Sequence, residues 1–302
     1  MIPIGLGSAT LPDSEIIRIN YKVKFDGGDA DQHRLEAYPA AQTLEGLTWA
    51  LALTLHFGVT GDVRGRGNLS RSARIYISPP RRGSVLNDLN IIVQNNPFLV
   101  ATAGAYAVTT VTPYVNGLIK YVFNQALGEG GEFPTGAKRI LRRLNGDDLD
   151  KLVTRIEPPL TRAHSVIGKT ADTICLKSKK TDLAILNTQT KAYLEAKLTD
   201  AFETIDTNVT SFNVLTGNGR LFDPETGGTA AFSLSSSPHE GTKSTMIASM
   251  DQFASGRCGT IRIIVQRVET VEHRLRKFVV SLAEEIPLQD WVDGVDPMRA
   301  AR

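Results

Sequence analysis

Arginine side chains are concentrated in one stretch of this sequence, and they are suited to binding anions. Six arginines lie between Val63 and Asn87, with no Asp or Glu among them. They are Arg64, Arg66, Arg71, Arg74, Arg81 and Arg82. Guanidinium groups bind phosphate through paired hydrogen bonds. The stretch predicts a contact with nucleic acid, another phosphate-bearing ligand or anionic lipid; the alternative is a solvated surface loop.

A second group of cations lies near the C-terminus, on or between predicted strands. It consists of Arg220, Arg262, Arg267, Arg274, Arg276 and Lys277. Phe212 and Phe222 lie close in sequence to Arg220, and aromatic rings in a basic groove bind single-stranded nucleic acid by stacking. The alternative is that the phenylalanines fill a core, while Glu269 and Glu272 offset the charge.

Asp182, Glu195 and Lys197 offer a different chemistry. An Asp followed by Glu-x-Lys resembles the restriction-nuclease motif, in which the residues lie on adjacent strands. The carboxylates would then hold Mg²⁺ and the lysine would support the attacking water. The resemblance is confined to this motif, so the nuclease is an alternative hypothesis only.

Other patterns favour a protein without catalysis. Asp26, Asp29, Asp31 and His33 supply potential metal ligands, but turn formation and helix capping explain these acids, and we predict no metal site. No phosphate-binding loop or nucleophile elbow occurs. We therefore predict no cofactor, and no small-molecule substrate is evident.

A segment without charged residues extends from Leu89 to Ile119. Its apolar residues are diluted by threonine, asparagine and glycine, which favours a buried helix over residues 97–127. The alternative is a membrane-active protein that inserts residues 97–119 into a bilayer. The arginines just upstream would then attract anionic headgroups.

Composition further limits the possible partners and the cellular location. The chain has 302 residues and a net charge of +2, so any polyanion contact must depend on local clusters. Cys175 and Cys258 form no framework of disulfides or zinc ligands, which is typical of a cytoplasmic protein. Peripheral or conditional membrane association is the alternative localisation.

Periodicity predicts an α+β protein with four regions. Residues 1–128 form an α+β domain that contains the arginines and the long apolar helix. Residues 137–200 form a mostly helical connector. Residues 205–290 form a small five-stranded β-barrel of the oligonucleotide/oligosaccharide-binding type with one helix, and 291–302 form a tail.

These observations favour a non-catalytic, cytoplasmic binding or assembly protein. Its arginine-rich segment would contact the anionic partner, which is nucleic acid or another phosphate-bearing ligand. A homo-oligomer or a protein partner is compatible with the same sequence.

Overall fold

The computed structural model describes residues 16–64, 68–78, 86–130, 138 and 144–286. Contacts between Cα atoms divide the chain into two compact units, Met1–Leu194 and Glu195–Arg302. Each unit has its own sheet and its own hydrophobic core. The predicted α+β class is confirmed.

The sheet of the first unit contains five antiparallel strands in the order β2-β3-β1-β4-β5. They are β1 (Ile16–Asp26), β2 (Ala73–Ile77), β3 (Leu86–Gln94), β4 (Thr173–Ser178) and β5 (Thr181–Leu186). Burial in β1 alternates residue by residue, from Ile17 to Phe25, because successive side chains of a strand point to opposite faces. One face of the sheet, here called the inner face, therefore lies in the core. The other, here called the open face, carries the exposed side chains of β1.

Helices pack on the inner face of this sheet. They are α1 (Ala37–Thr60), α2 (Pro97–Ala103), α3 (Val108–Ala126), α4 (Gly146–Ala163) and α5 (Thr188–Leu194). α1 and α4 approach closely at Gly46, where a Cβ atom would lie 2.3 Å from the carbonyl oxygen of Pro159. The absence of a side chain at Gly46 is what permits this contact.

The charge-free segment forms two helices, so the prediction of one helix over residues 97–127 is wrong. α2 and α3 meet at an angle of 87°. Gly104 ends α2 in the left-handed conformation, with φ of 86°. α3 belongs to the core, since nine of its residues are buried. Among the described residues no single helix is long and apolar enough to cross a membrane, although α2 and α3 meet that criterion when taken together.

The region predicted as a helical connector, residues 137–200, contains strands as well as helices. α4 packs against α1 and α3, and β4 pairs with β1 along six residues. β5 then pairs with β4 as the last strand of the first sheet. The described residues 144–194 are therefore part of the first unit and complete its fold.

The second unit contains a six-stranded sheet in the order β6-β10-β11-β9-β8-β7. Its strands are β6 (Lys197–Thr207), β7 (Val209–Asn213), β8 (Asn218–Asp223), β9 (Gly228–Leu234), β10 (Ile261–Glu269) and β11 (Leu275–Glu285). The only helix described here is α6 (Thr242–Ala254), whose Met246 is buried in the core.

The predicted five-stranded barrel is not confirmed. A sixth strand, β6, precedes the five that were expected, and the sheet is not closed into a barrel. β6 and β7 are its two edges, and the chain passes from one to the other at Asn208. The hydroxyl of Thr207 and the carbonyl of Asn208 both bond to the backbone of Phe222 at this corner.

Candidate anion-binding surface

The structure describes three of the six clustered arginines. Arg64 pairs with Asp62 at 3.0 Å, and its carbonyl accepts a hydrogen bond from Nε of Arg155. Arg71 and Arg74 are exposed and form no ion pair within the described part of the chain. Arg66, Arg81 and Arg82 lie outside the described residues.

Strand register places Arg74 on the open face beside cations from β1. Ile92 of β3 pairs with Arg74 on one side and with Arg18 on the other. Neighbouring strands lie about 4.8 Å apart, so the two arginines are separated by roughly 10 Å across the sheet. Lys22 and Lys24 follow Arg18 on the same face, and all three side chains are exposed.

A polar row crosses the open face next to these arginines. Tyr76 of β2 pairs with Asn90 of β3, which pairs with Asn20 of β1. Tyr76 is 48% exposed, so its ring is available for stacking. The amide nitrogen of Asn90 donates to the hydroxyl of Ser78 at 2.6 Å. Aromatic and amide groups between cations are suited to contacting nucleobases and phosphates together.

Acids compensate only part of the charge on the open face. Lys177 pairs with Asp182 at 3.0 Å, and this hydrogen bond lowers the pKa of the Asp182 carboxyl. Asp88 lies opposite Lys22 in the register, and Lys24 pairs with Asp26. Within the described residues, cations outnumber carboxylates on this face.

The buried thiol of Cys175 lies beneath these charged side chains. Cys175 is 5% exposed, on the strand pair that also contains Lys177 and Asp182. Burial, together with a hydrogen bond to Asp182, raises the pKa of this thiol to about 11. Cys175 is therefore a protonated structural residue near pH 7, not a nucleophile.

The proposed nuclease residues do not come together on adjacent strands. Asp182 lies on β5, whose partner in the sheet is β4. Glu195 follows α5, and Lys197 begins β6, which pairs with β10 in the second unit. The strand arrangement that prompted the hypothesis is therefore not formed. The part of the chain that the structure describes contains no group of three or more metal-binding side chains.

The acidic loop after β1 has structural hydrogen bonds. Asp31 accepts from the backbone nitrogen of Gly27 at 2.9 Å, and Asp29 binds the guanidinium of Arg34 at 3.0 Å. His33 ends the 3₁₀ helix Gly28–Gln32 in the left-handed conformation. These contacts agree with the interpretation of this loop as a turn.

Acids of the second unit pair with two of its principal cations, Arg262 and Arg267. Arg262 forms a bidentate pair with Asp206 at 2.8 and 3.0 Å. Arg267 binds both Glu203 and Glu225, at 2.8 and 2.6 Å. The guanidinium of Arg267 also lies 5.7 Å from the ring centre of Phe278.

The remaining cations of the predicted barrel surface have partners as well. Arg220 donates to the side chain and the carbonyl of Thr229. Arg274, Arg276 and Lys277 also take part in interactions. Stacking by Phe212 is not available on the surface, because its ring packs on Phe232 in the core. The second unit is thus a weaker candidate for anion binding than the open face.

Two family models match the chain. A domain of unknown function, DUF7946, matches residues 21–195, which is more than half of the chain. The chain belongs to this family. A family of unknown function, DUF7947, matches residues 201–284. No curated protein and no solved structure matches the chain. The two matched regions meet near the division between the units, and the open face lies within the DUF7946 region.

The sequence prediction missed Arg18, Lys22 and Lys24 as members of the candidate surface. Their signal was the alternation in β1, which places them opposite the buried residues. Alternation alone predicts a solvated strand face. The structure adds the pairing of β3 with both β1 and β2, which brings Arg74 of β2 onto the same face as Arg18, Lys22 and Lys24.

Proposed function

We propose that this chain is a non-catalytic binding protein whose first unit holds an anionic, phosphate-bearing partner, with nucleic acid first among the candidates. The observation that supports this is the position of Arg74 and Arg18 on either side of Ile92, on the open face. Arg71 lies just before β2, the strand that contains Arg74. This part of the arginine-rich segment therefore adjoins the open face.

Electrostatics and stacking both favour a nucleic acid over a simple anion. Phosphate contacts supply most of the affinity for nucleic acid, and these contacts weaken as salt rises. The row of Tyr76, Asn90 and Asn20 adds groups that contact bases. Free cysteines at Cys175 and Cys258 are consistent with the cytoplasmic location that we propose.

Salt-dependent binding tests this proposal. A triple variant, Arg18→Ala, Lys22→Ala and Arg74→Ala, would be titrated against fluorescently labelled single-stranded RNA and DNA. Each phosphate contact to a single strand contributes about −0.7 to the slope of log affinity against log salt. If each cation contacts one phosphate, we expect the triple variant to bind more weakly and its slope to fall by about 2 in magnitude.

A matched control removes the same charge from the second unit. The variant Arg220→Ala, Lys243→Ala and Arg257→Ala should keep the wild-type affinity and salt slope. Equal losses in both variants would mean that net charge alone causes binding. An unchanged slope in the first variant would show that the open face is not the site.

Membrane insertion remains a second proposal because α2 and α3 together satisfy the length and hydropathy criterion. Insertion would require the buried side of α3, including Tyr114, Leu118 and Phe123, to leave the core. Flotation with anionic vesicles that persists at high salt would favour this alternative. Flotation that high salt abolishes would instead indicate a surface contact through the cations.

A further inference from the structure

A pocket of about 490 Å³ lies between α1 and the inner face of β2. Its apolar lining includes Leu44, Trp49, Leu55, Leu69, Ile75 and Ile77. Pockets of about 300–1,000 Å³ with mainly apolar walls and a few polar groups are typical small-molecule sites. This pocket is separate from the open face, because Ile75 and Ile77 alternate with Arg74 and Tyr76 along β2.

His56 contributes a neutral imidazole to the wall of this pocket. Its Nδ1 accepts a hydrogen bond from the backbone nitrogen of Ser70 at 2.8 Å, so the ring proton is on Nε2. Burial, together with the nearby guanidinium of Arg64, lowers the pKa of His56 below its ordinary value. The ring is therefore uncharged near pH 7.

The Nε2 proton of His56 has no acceptor among the described residues. The side chain is buried, with 3% of its surface exposed. Buried polar groups in proteins are nearly always paired, and an unpaired donor costs free energy. An acceptor atom on a bound molecule would supply the missing hydrogen bond.

The carboxylate of Glu45 in the pocket lining is already paired with a cation. Glu45 forms a bidentate pair with Arg162 at 2.7 and 3.0 Å. The hydrogen bond from Arg162 lowers the pKa of the Glu45 carboxyl, so this group stays ionised and paired. Thr48 is a neutral lining residue whose hydroxyl donates to the carbonyl of Leu44. The pocket therefore favours an uncharged ligand over an ionic one.

We propose that this pocket binds a small, uncharged and mainly apolar molecule that presents a hydrogen-bond acceptor to Nε2 of His56. The apolar walls supply affinity through burial of ligand surface. The histidine supplies selectivity for an acceptor such as a ketone or ester carbonyl. This site does not depend on the proposed function of the open face, since the two lie on opposite sides of β2.

Two naphthalene probes of matched shape test the proposal: 2-acetylnaphthalene carries a carbonyl acceptor, and 2-ethylnaphthalene does not. Binding would be followed by the fluorescence of Trp49 in a Trp291→Phe background, because the chain has two tryptophans and Trp49 lines the pocket. We expect both probes to bind and the ketone to bind about 3- to 10-fold more tightly, as expected for one hydrogen bond.

Filling the pocket should weaken binding of both probes. Ala52 lines the pocket, and Ala52→Phe is expected to weaken both affinities at least about tenfold by occupying the ligand volume. Ala41→Phe adds the same ring to an exposed position of α1 outside the lining and should leave both affinities unchanged. Ile77→Asp is a second variant, at a position that is 54% exposed. It places a charge in the apolar lining and should also weaken binding of both probes.

Three results would overturn the proposal. Absence of binding by both probes to the wild-type chain would exclude the pocket as a ligand site. Equal affinity for the ketone and the hydrocarbon would exclude His56 as the group that selects an acceptor. Retention of binding in both Ala52→Phe and Ile77→Asp would place the probes elsewhere.

Discussion

His164 should make the first unit less stable as the pH falls below 7. The residue follows α4 and is 1% exposed. Its Nδ1 lies 2.7 Å from the carbonyl oxygen of Leu160 and must donate to it, so Nε2 accepts from the hydroxyl of Thr190 at 2.8 Å. The same hydroxyl accepts from the backbone nitrogen of Asn187. The neutral imidazole thus joins α4 to the start of α5.

Protonation would remove the acceptor at Nε2 and place a charge in the core. Burial lowers the pKa of His164 from 6.5 to about 4. Between these values the unfolded chain binds a proton that the folded chain does not, so stability rises with pH in this window. Over the whole window the contribution is about 3 kcal/mol, fully present above pH 6.5 and lost as the pH falls to 4. Between pH 7.0 and 5.5 it is about 1 kcal/mol.

The variant His164→Gln isolates this effect because glutamine does not titrate. Urea unfolding would be measured at pH 7.0 and 5.5 in the Trp291→Phe background, where Trp49 reports on the first unit. The wild-type chain should lose about 1 kcal/mol more than the variant between these pH values. His239→Gln, in the second unit, controls for the substitution itself. Equal pH dependence in wild type and His164→Gln would refute the argument.

Two further predictions concern close packing and thiol reactivity. Gly46→Ala should destabilise the first unit by about 2 kcal/mol or more in urea unfolding, because its Cβ would meet the backbone of α4. Gly58→Ala, whose Cβ would have the flexible end of Leu118 at 3.0 Å as its nearest neighbour, should cost less than about 1 kcal/mol; equal losses would contradict this. At pH 8, a thiol reagent should modify half-buried Cys258 rapidly and buried Cys175 only after unfolding, whereas equal rates would exclude protection of Cys175.

Local sequence signals are clearer for strand β1 than for the ends of the helices in the charge-free segment. The alternation in β1 is a property of neighbouring residues, and the structure reproduces it residue by residue. The two ends of α2 also had local signals, namely Asn96 as an N-cap that accepts from the backbone nitrogen of Leu99 at 2.8 Å and Gly104 as a helix stop. In the prediction of one helix, the absence of charged residues along the segment outweighed the stop signal at Gly104.

Long-range pairing could not be predicted from the same signals. β4 follows α4 directly in sequence but pairs with β1, about 150 residues earlier. The sequence prediction missed β6, an edge strand on which even the apolar Leu198 and Phe202 are exposed. Such a strand hardly alternates between buried and exposed residues, so it lacks the signal that identifies β1. In both cases the prediction would have required knowing which strand lies beside β4 or β6. The residue pattern of one strand does not give the identity of its neighbour.

Charge pairing across strands distinguishes the two basic regions that the sequence offered as candidate anion-binding surfaces. Arg262 and Asp206 are 56 residues apart in sequence, yet the register of β10 with β6 brings them together. On the open face the register brings Arg74 and Arg18 to either side of the apolar Ile92. A slip of one residue in the pairing of β2 with β3 would turn Arg74 toward the core and Ile75 toward solvent. The burial pattern therefore fixes the register and keeps Arg74 and Arg18 together on one face. The proposed anion binding is for this reason placed in the first unit and not in the second, although the sequence contains arginines in both.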